Sequence, residues 1–215
     1  MAFAFSGDGV RTIGYVDGFN LYYRALKGTP YKWLDLNKML SRILKKENRL
    51  VGIRYFTAMV TGRIDPDQPR RQRTYLNALE TLPGLTVHLG TFLAKSTKRP
   101  LSGSNPRQFV SIDSFEEKGS DVNLASYLVH DGWRDMYDVA VVVTSDTDLI
   151  TPIELVIRDL KKPVGIISPS IPCPKGLAQV ASFVRHIRKA DLKNCQFPAS
   201  FTNAQGKRIT QPRGW

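Results

Sequence analysis

Short runs of apolar residues alternate along the chain with segments whose apolar residues recur every three or four positions. The runs predict buried strands over residues 12–16, 51–60, 85–93, 109–115, 139–143 and 164–167. The run VAVVV at 139–143 is the clearest, because a continuous β-branched stretch is typical of a parallel strand that is covered on both faces. The pattern therefore predicts a sheet whose strands are separated by helices.

The intervening segments carry the spacing and the end signals of helices. Asp35 and Ser120 are candidate N-caps, and Pro69 suits the first turn of a helix. Residues 95–107 are expected to form a loop or a hairpin tip, and residues 169–175 a loop, since both are rich in turn-forming residues. Helices are predicted over residues 20–26, 35–46, 69–82, 121–130, 152–160 and 176–183.

Strands that alternate with helices favour an α/β fold with a doubly wound, mostly parallel central sheet and helices on both faces, which gives three layers. We predict one domain over residues 1–190 and a basic C-terminal tail over residues 191–215, either extended or packed on the domain. In such sheets, ligands bind beyond the carboxyl ends of the strands, where the strand order reverses. The site is therefore expected just after residues 16 and 143.

The charge of the chain narrows the choice of partner. Its 215 residues include 31 Lys and Arg against 19 Asp and Glu, for a net charge of +12. Such a surplus favours a polyanionic partner, nucleic acid above all. The alternative is a protein that is basic but has no such partner. Two Cys and three His match neither a disulfide framework nor a zinc site. The sequence shows no signal peptide and no membrane-spanning apolar stretch, so we expect a cytoplasmic protein without membrane association.

Acidic residues directly follow two of the predicted strands. Asp17 directly follows the run at residues 12–16. Asp146 and Asp148 come shortly after VAVVV. Asp121 stands at a predicted helix start. Because parallel strands end at one edge of the sheet, these carboxylates are expected to meet there, where a hard cation such as Mg²⁺ or Mn²⁺ would relieve their repulsion. The alternative is that each Asp only caps a helix.

Three segments that contain these acids resemble the motifs of one known family. They are IGYVDGFNLY at residues 13–22, EKGSDVNLA at 117–125 and DVAVVVTSDTDL at 138–149. In this order they resemble the motifs of NYN domains, which are PIN-like nucleases related to the LabA group. The resemblance spans roughly residues 10–190. It implies a PIN-like fold and a metal-dependent endoribonuclease that hydrolyses the phosphodiester bonds of single-stranded or structured RNA.

The resemblance also assigns roles to individual residues. Asn20 would be a nearby polar group of the catalytic set that holds Asp17 or a metal-bound water. Tyr127 stands where many members of the family carry a further acid, which leaves the number of metal ions at one or two. No nucleotide cofactor is expected, and a homodimer is left open. The implied acidic centre, which would bind Mg²⁺ or Mn²⁺ and activate water, consists of Asp17, Asp121, Asp146 and Asp148.

Cationic and hydroxyl side chains are the candidates for contacts with the substrate. Four arginines would bind the phosphate backbone of RNA. Lys118 is the candidate for a phosphate contact near the acids, because it lies beside Asp121 in the sequence. Thr144 is also expected to orient a carboxylate. Some of the aromatic residues that follow the first motif could stack on bases, whereas core packing is favoured for most of them; they are Tyr22, Tyr23, Tyr31 and Trp33. The predicted substrate-binding set is Arg63, Arg70, Arg71, Arg73, Lys118 and Thr144.

Two other functions fit parts of the sequence. A catalytically silent RNA-binding or regulatory protein would keep the fold and the basic charge. A haloacid-dehalogenase-like phosphatase would explain an Asp-Thr-Asp motif after a strand, but it also needs a later Lys and a later acidic pair. The acids that follow, Glu154, Asp159 and Asp191, form no pair in the sequence.

Overall fold

A computed structural model describes residues 9–62 and 65–213, without the side chains of residues 93–95 and 113–116. The strands are β1 (Val10–Asp17), β2 (Asn48–Ala58), β3 (Leu85–Pro100), β4 (Phe109–Lys118), β5 (Val139–Val143), β6 (Val164–Ser168), β7 (Phe183–His186), β8 (Ser200–Thr202) and β9 (Arg208–Thr210). The helices are α1 (Gly18–Leu21), α2 (Leu36–Ile43), α3 (Gln68–Leu79), α4 (Ser120–Trp133), α5 (Ile150–Arg158), α6 (Lys175–Val180) and α7 (Lys189–Asn194). A π-helical turn, Tyr22–Leu26, continues α1, and a 3₁₀ turn, Thr147–Leu149, precedes α5.

The central sheet has the strand order β4-β3-β2-β1-β5-β6-β7. All neighbouring strands run parallel except β3 and β4, which form an antiparallel hairpin. The chain builds one half of the sheet outward from β1 and then returns to build the other half from β5, so the order reverses between these two strands. The predicted α/β class with a doubly wound, mostly parallel sheet is confirmed.

Helices cover both faces of the sheet and create two cores. On one face, Met39 and Leu40 of α2 and Leu79 of α3 are fully buried against the strands. On the other face, α4, α5 and α6 contribute Leu124, Ile153 and further apolar residues to a separate cluster. β5 and β6 lie between these two cores and are buried along their whole length, as the VAVVV run predicts.

Several segments depart from the predicted elements, among them the helix predicted over 176–183 and the loop predicted over 95–107. The helix predicted over 176–183 ends at Val180, and Phe183 begins β7 instead. Its ring lies on Gly165 of β6, where an added Cβ would come within 2.1 Å of the Phe183 ring, so the missing side chain makes room for the strand. The loop predicted over 95–107 is also too long, because β3 and β4 stay paired up to Pro100 and Phe109.

The chain after residue 190 contacts the rest of the molecule closely. Phe197 is 7% exposed and packs on the buried Trp33, with ring centroids 5.7 Å apart. The Trp33 Nε1 donates a hydrogen bond of 2.9 Å to the Pro198 carbonyl. Ile209 of the β8–β9 hairpin is buried in the same core. The domain boundary at residue 190 stays a prediction, and in the described part of the chain no helix has the length and apolarity to cross a membrane.

Candidate functional site

A chain of hydrogen bonds joins the ends of β1 and β5, where the strand order reverses. Asp17 is 5% exposed, and its Oδ1 accepts the Asn20 N–H at 2.9 Å, so that it caps α1. Its Oδ2 accepts the Thr144 hydroxyl at 3.1 Å. Thr144 in turn accepts the Asp146 N–H at 3.0 Å, and the Asn20 Oδ1 accepts the Ser145 N–H at 2.9 Å. The backbone after VAVVV is thereby fixed to the backbone after β1.

Burial and mutual repulsion disfavour the charged forms of these carboxylates. The pKa of Asp17 is raised to about 6, mainly because burial removes its charge from water, and the negative charges of Asp121 and Asp146 add to the effect. The Asn20 N–H and the Thr144 hydroxyl oppose the shift. Burial also raises the pKa of Asp121, together with the charges of Asp146, Glu117 and Asp148. The predicted acids therefore interact electrostatically at one edge of the sheet.

Three of the four predicted metal ligands line one pocket of about 310 Å³. Its walls consist of Asp17, Phe19, Asn20, Tyr23, Arg24, Glu117, Asp121 and Asp146, which we call the carboxylate pocket. Asp148 is exposed and is not among the residues of this wall. In the described residues no three His, Cys, Asp or Glu side chains form a group that could hold a metal ion. The Mg²⁺ or Mn²⁺ site stays a prediction.

Tyr127 takes part in a network on the α4 side of the sheet. The Arg54 guanidinium lies 4.7 Å from the centre of the Tyr127 ring, and the His88 ring centroid lies 4.2 Å from it. Arg54 also donates to Asp131, which is fully buried and accepts the Tyr15 hydroxyl at 2.7 Å. Tyr127 therefore contributes a packing contact with a buried ion pair.

The predicted arginine set divides into residues with different surroundings. Arg63 lies outside the described residues. Arg70 is 80% exposed and pairs with Asp67 at 3.1 Å, and Arg73 is exposed on the same helix. Arg71 alone of the described three lines a cavity, with a side chain that is 21% exposed. Lys118 is exposed at the end of β4, next to Glu117 of the carboxylate pocket.

A cavity of about 210 Å³ adjoins the carboxylate pocket, and we call it the aromatic cavity. Phe19 and Tyr23 line both spaces. Tyr23 is in edge contact with Tyr22 at 5.2 Å between centroids, and Tyr55 is in edge contact with Tyr75 at 6.4 Å. The described lining residues are Gly18, Phe19, Tyr22, Tyr23, Leu26, Lys32, Tyr55, Thr57, Val60, Asp65, Gln68, Arg71, Gln72 and Tyr75.

Local contacts hold the walls of the aromatic cavity in place. A Cβ on Gly18 would lie 2.6 Å from the Tyr55 hydroxyl, so the glycine lets the turn after β1 approach that ring. The Gln72 side chain accepts the Val60 N–H at 2.8 Å and donates to the Ala58 carbonyl at 2.9 Å, which fixes the end of β2. Local contacts thus fix the turn after β1 and the end of β2, which both carry rings of the cavity.

Of the residues that line the aromatic cavity, the sequence pointed to Tyr22, Tyr23 and Arg71 but not to the others. One signal was available in α3, where Gln68, Arg71, Gln72 and Tyr75 recur at intervals of three and four residues. Such spacing places them on one face of the helix. Polar residues on a face next to apolar ones indicate a lined cavity or a solvent-exposed face, and only the position of β2 decides between the two.

The fold and the site together define an α/β protein with an aromatic cavity and a carboxylate pocket side by side at the carboxyl ends of β1 and β2. No family model matches the sequence. The chain is 31% identical over 237 aligned residues to the 6-hydroxy-3-succinoylpyridine 3-monooxygenase HspA of Pseudomonas putida (strain DSM 28022 / S16), an alignment that covers 96% of this chain and 75% of that protein. The chain therefore belongs to the family of this monooxygenase.

A solved structure supports the fold. A protein of unknown function from Vibrio parahaemolyticus RIMD 2210633 superposes with a TM-score of 0.55 at 18% sequence identity. The match covers 86% of this chain and 98% of the other. At this identity the likeness extends to the arrangement of strands and helices only.

The prediction of a metal-dependent endoribonuclease is wrong, and so is the hydrolase class that it implied. The relative that matches nearly the whole chain is a monooxygenase, which is an oxidoreductase. Clustered carboxylates and a positive net charge indicate which ions a protein attracts, but they do not determine the reaction, and one fold carries many reactions. The roles of the site residues, the metal ions, RNA as a partner, a homodimer and the NYN resemblance stay predictions.

Proposed function

We propose that this protein is an oxidoreductase that inserts one oxygen atom of O₂ into a small aromatic compound. The observation that carries the proposal is the 31% identity to HspA across 96% of the chain. By its name, HspA acts on a pyridine ring that bears a hydroxyl and a succinoyl group. We propose a compound of the same class, a hydroxylated pyridine with an acidic side chain, as the substrate of this protein.

The aromatic cavity is the proposed place of the reaction. It lies at the carboxyl ends of parallel strands, where ligands bind in doubly wound sheets. Its volume of about 210 Å³ is below the roughly 300–1,000 Å³ of pockets for drug-sized ligands, which suits a compound with a single ring. Tyr22, Tyr23, Tyr55 and Tyr75 present ring faces and edges against which an aromatic substrate can pack.

The proposed reaction needs a reductant as well as O₂. One oxygen atom enters the substrate, and the other leaves as water after it receives two electrons and two protons. A reduced nicotinamide or a reduced flavin supplies electrons of this kind. The turn after β1 reads DGFN and lacks the G-x-G-x-x-G pattern of a dinucleotide-binding turn. We therefore propose that the reductant diffuses in as a second substrate.

Oxygen uptake tests the proposed activity. Purified protein would be mixed with 6-hydroxy-3-succinoylpyridine in air-saturated buffer and with NADH, NADPH or reduced flavin in turn. We expect O₂ consumption that depends on both the pyridine and one of these donors. If uptake stays at the rate without the pyridine for every donor, the proposed function is wrong.

We further propose that the carboxylate pocket binds one divalent cation, Mg²⁺ or Mn²⁺. Its donors are the carboxylate oxygens that these hard cations prefer. Asp17, Asp121 and Asp146 line the pocket but form no metal-binding group among the described residues, so they would have to move closer together to hold the ion. A bound cation would offset the repulsion among the three charges beside the aromatic cavity. Thr144 and the Asn20 N–H orient the Asp17 carboxylate for this task.

Titration with Mn²⁺ tests the cation site without any turnover. The electron paramagnetic resonance signal of free Mn²⁺ should fall as the protein is added, and D146N should remove most of this binding. D159N is the matched control, because Asp159 is an exposed carboxylate that pairs with Arg158 at 2.7 Å. Equal binding by the wild type and D146N would contradict the proposed site.

A further inference from the structure

We propose that Arg71 is the carboxylate-recognition residue of the aromatic cavity, and that it exchanges its partner Asp65 for the carboxylate of the ligand. The inference rests on the proposed function and deepens it, because it states which ligands the cavity selects. The ligand class that follows is a one-ring aromatic compound that bears a carboxylate, with its ring among the tyrosines and its carboxylate on the guanidinium.

Arg71 differs from the neighbouring arginines of α3 in where its side chain lies. It is 21% exposed and lines the cavity, whereas Arg70 is 80% exposed. The planar guanidinium offers parallel N–H groups that match the two oxygens of a carboxylate. Arg71 therefore presents the kind of donor that a ligand carboxylate needs on the wall of the cavity.

Asp65 holds Arg71 in place while remaining accessible to water. Its carboxylate accepts a hydrogen bond from the Arg71 guanidinium, which holds the pKa of Asp65 below its usual range. The Asp65 side chain is nevertheless 44% exposed and stands before α3, in the segment where its Oδ1 also accepts the Asp67 N–H at 3.1 Å. An exposed carboxylate can rotate into solvent without losing its hydration, so a ligand can replace it.

The charges of the cavity favour an anionic ligand. Among the described lining residues, Lys32 and Arg71 are cationic and Asp65 is anionic, which leaves one positive charge. Tyr22 lines the same cavity as this pair. Burial and the neighbouring Tyr23 raise the pKa of its hydroxyl, while Arg71 opposes and Asp65 adds to the shift. The charged end of the cavity therefore adjoins an aromatic side chain, as the two halves of an aromatic carboxylate require.

Two probes that differ only in the carboxylate test the assignment. They are 6-hydroxynicotinate and 2-hydroxypyridine, which share the hydroxylated ring, and their binding would be measured by calorimetry without O₂ or reductant. We expect the wild type to bind 6-hydroxynicotinate at least about tenfold more tightly, the effect of one charged hydrogen-bonded contact. Binding of both probes with equal affinity would overturn the proposal.

Variants then identify the residue responsible. R71Q should bind the two probes equally, R71K should keep part of the preference, and R70Q should keep all of it. D65N should bind 6-hydroxynicotinate a few-fold more tightly and leave the affinity for 2-hydroxypyridine unchanged. Circular dichroism confirms that each variant is folded, and R71K provides a charge-preserving second variant of the same position.

The outcomes separate this inference from the proposed function. A full preference for 6-hydroxynicotinate in folded R71Q overturns the role of Arg71, whether or not the protein consumes O₂. Unchanged or weaker binding of that probe by D65N overturns the exchange of partners. A preference that R71Q removes supports the inference even in a protein without oxygen uptake, which would then contradict the proposed function alone.

Discussion

Thr144 connects two strand ends through one hydroxyl group. It is fully buried, donates to the Asp17 carboxylate at 3.1 Å and accepts the Asp146 N–H at 3.0 Å. A hydroxyl is suited to this position because it donates and accepts at once. The hydrogen bond to Asp17 is the contact that the predicted orientation of a carboxylate by Thr144 requires, and the role of Thr144 at the site stays a prediction.

T144V should destabilise the protein. Valine has a similar shape but leaves a carboxylate oxygen and an N–H without a partner, so we expect the free energy of unfolding to fall by about 1–3 kcal/mol. Urea denaturation measures the change, and T147V, at an exposed position, should stay within about 0.5 kcal/mol of the wild type. Equal stability of T144V and T147V would contradict the role assigned to the hydroxyl.

Gly18 controls the approach of α1 to β2. A Cβ there would lie 2.6 Å from the Tyr55 hydroxyl and 2.8 Å from the Phe56 carbonyl oxygen. G18A should therefore lower the free energy of unfolding by about 1–3 kcal/mol, as overpacking does, with urea denaturation as the measurement. G52A is the control, because a Cβ on Gly52 meets its nearest atom at 3.5 Å. A G18A protein as stable as G52A would show that the turn can move away.

Among the strands, those with a continuous apolar run could be predicted and the shortest ones could not. VAVVV is continuous and buried, so its pattern alone indicates a strand in a parallel sheet. β7 has four residues, and β8 and β9 have three each, which is too short for a periodic pattern to emerge. Their formation depends on partners such as Gly165, which the local sequence does not reveal.

The two parts of the site differ in how far the sequence predicts them. The carboxylate pocket could be predicted, because Asp17 and Asp146 follow adjacent parallel strands, whose carboxyl ends meet at one edge. The aromatic cavity could not, because its walls come from the turn after β1, from β2 and from α3. Only the packing of α3 against the sheet brings Arg71 and Tyr75 to face Tyr55.

The segment after α7 is expected to stabilise the whole fold. Phe197 is 7% exposed between Trp33 and Phe201, so F197A should lower the free energy of unfolding by about 3–5 kcal/mol through the cavity that it leaves. F109A, at a position that is 59% exposed on β4, should change stability by no more than about 0.5 kcal/mol. Thermal or urea unfolding measures these changes. An F197A protein as stable as the wild type would indicate that the segment after α7 does not stabilise the fold.

The net charge of +12 and the doubly wound sheet, which are properties of the whole molecule, are compatible with several reactions. The sheet predicted the edge at which the aromatic cavity and the carboxylate pocket lie, and the charge favoured an anionic partner. Neither determined the chemistry, because clustered carboxylates can hold a cation for many purposes. The relationship to a monooxygenase over nearly the entire chain is the observation on which the proposed reaction rests.

The origin of the inserted oxygen atom tests the central proposal most directly. The protein would convert 6-hydroxy-3-succinoylpyridine under ¹⁸O₂ in unlabelled water, with the reductant that supports oxygen uptake, and mass spectrometry would follow the product. The account predicts a product that carries one ¹⁸O atom from the gas. A product whose new oxygen comes from water, or no product with any reductant while the pyridine still binds, would contradict it.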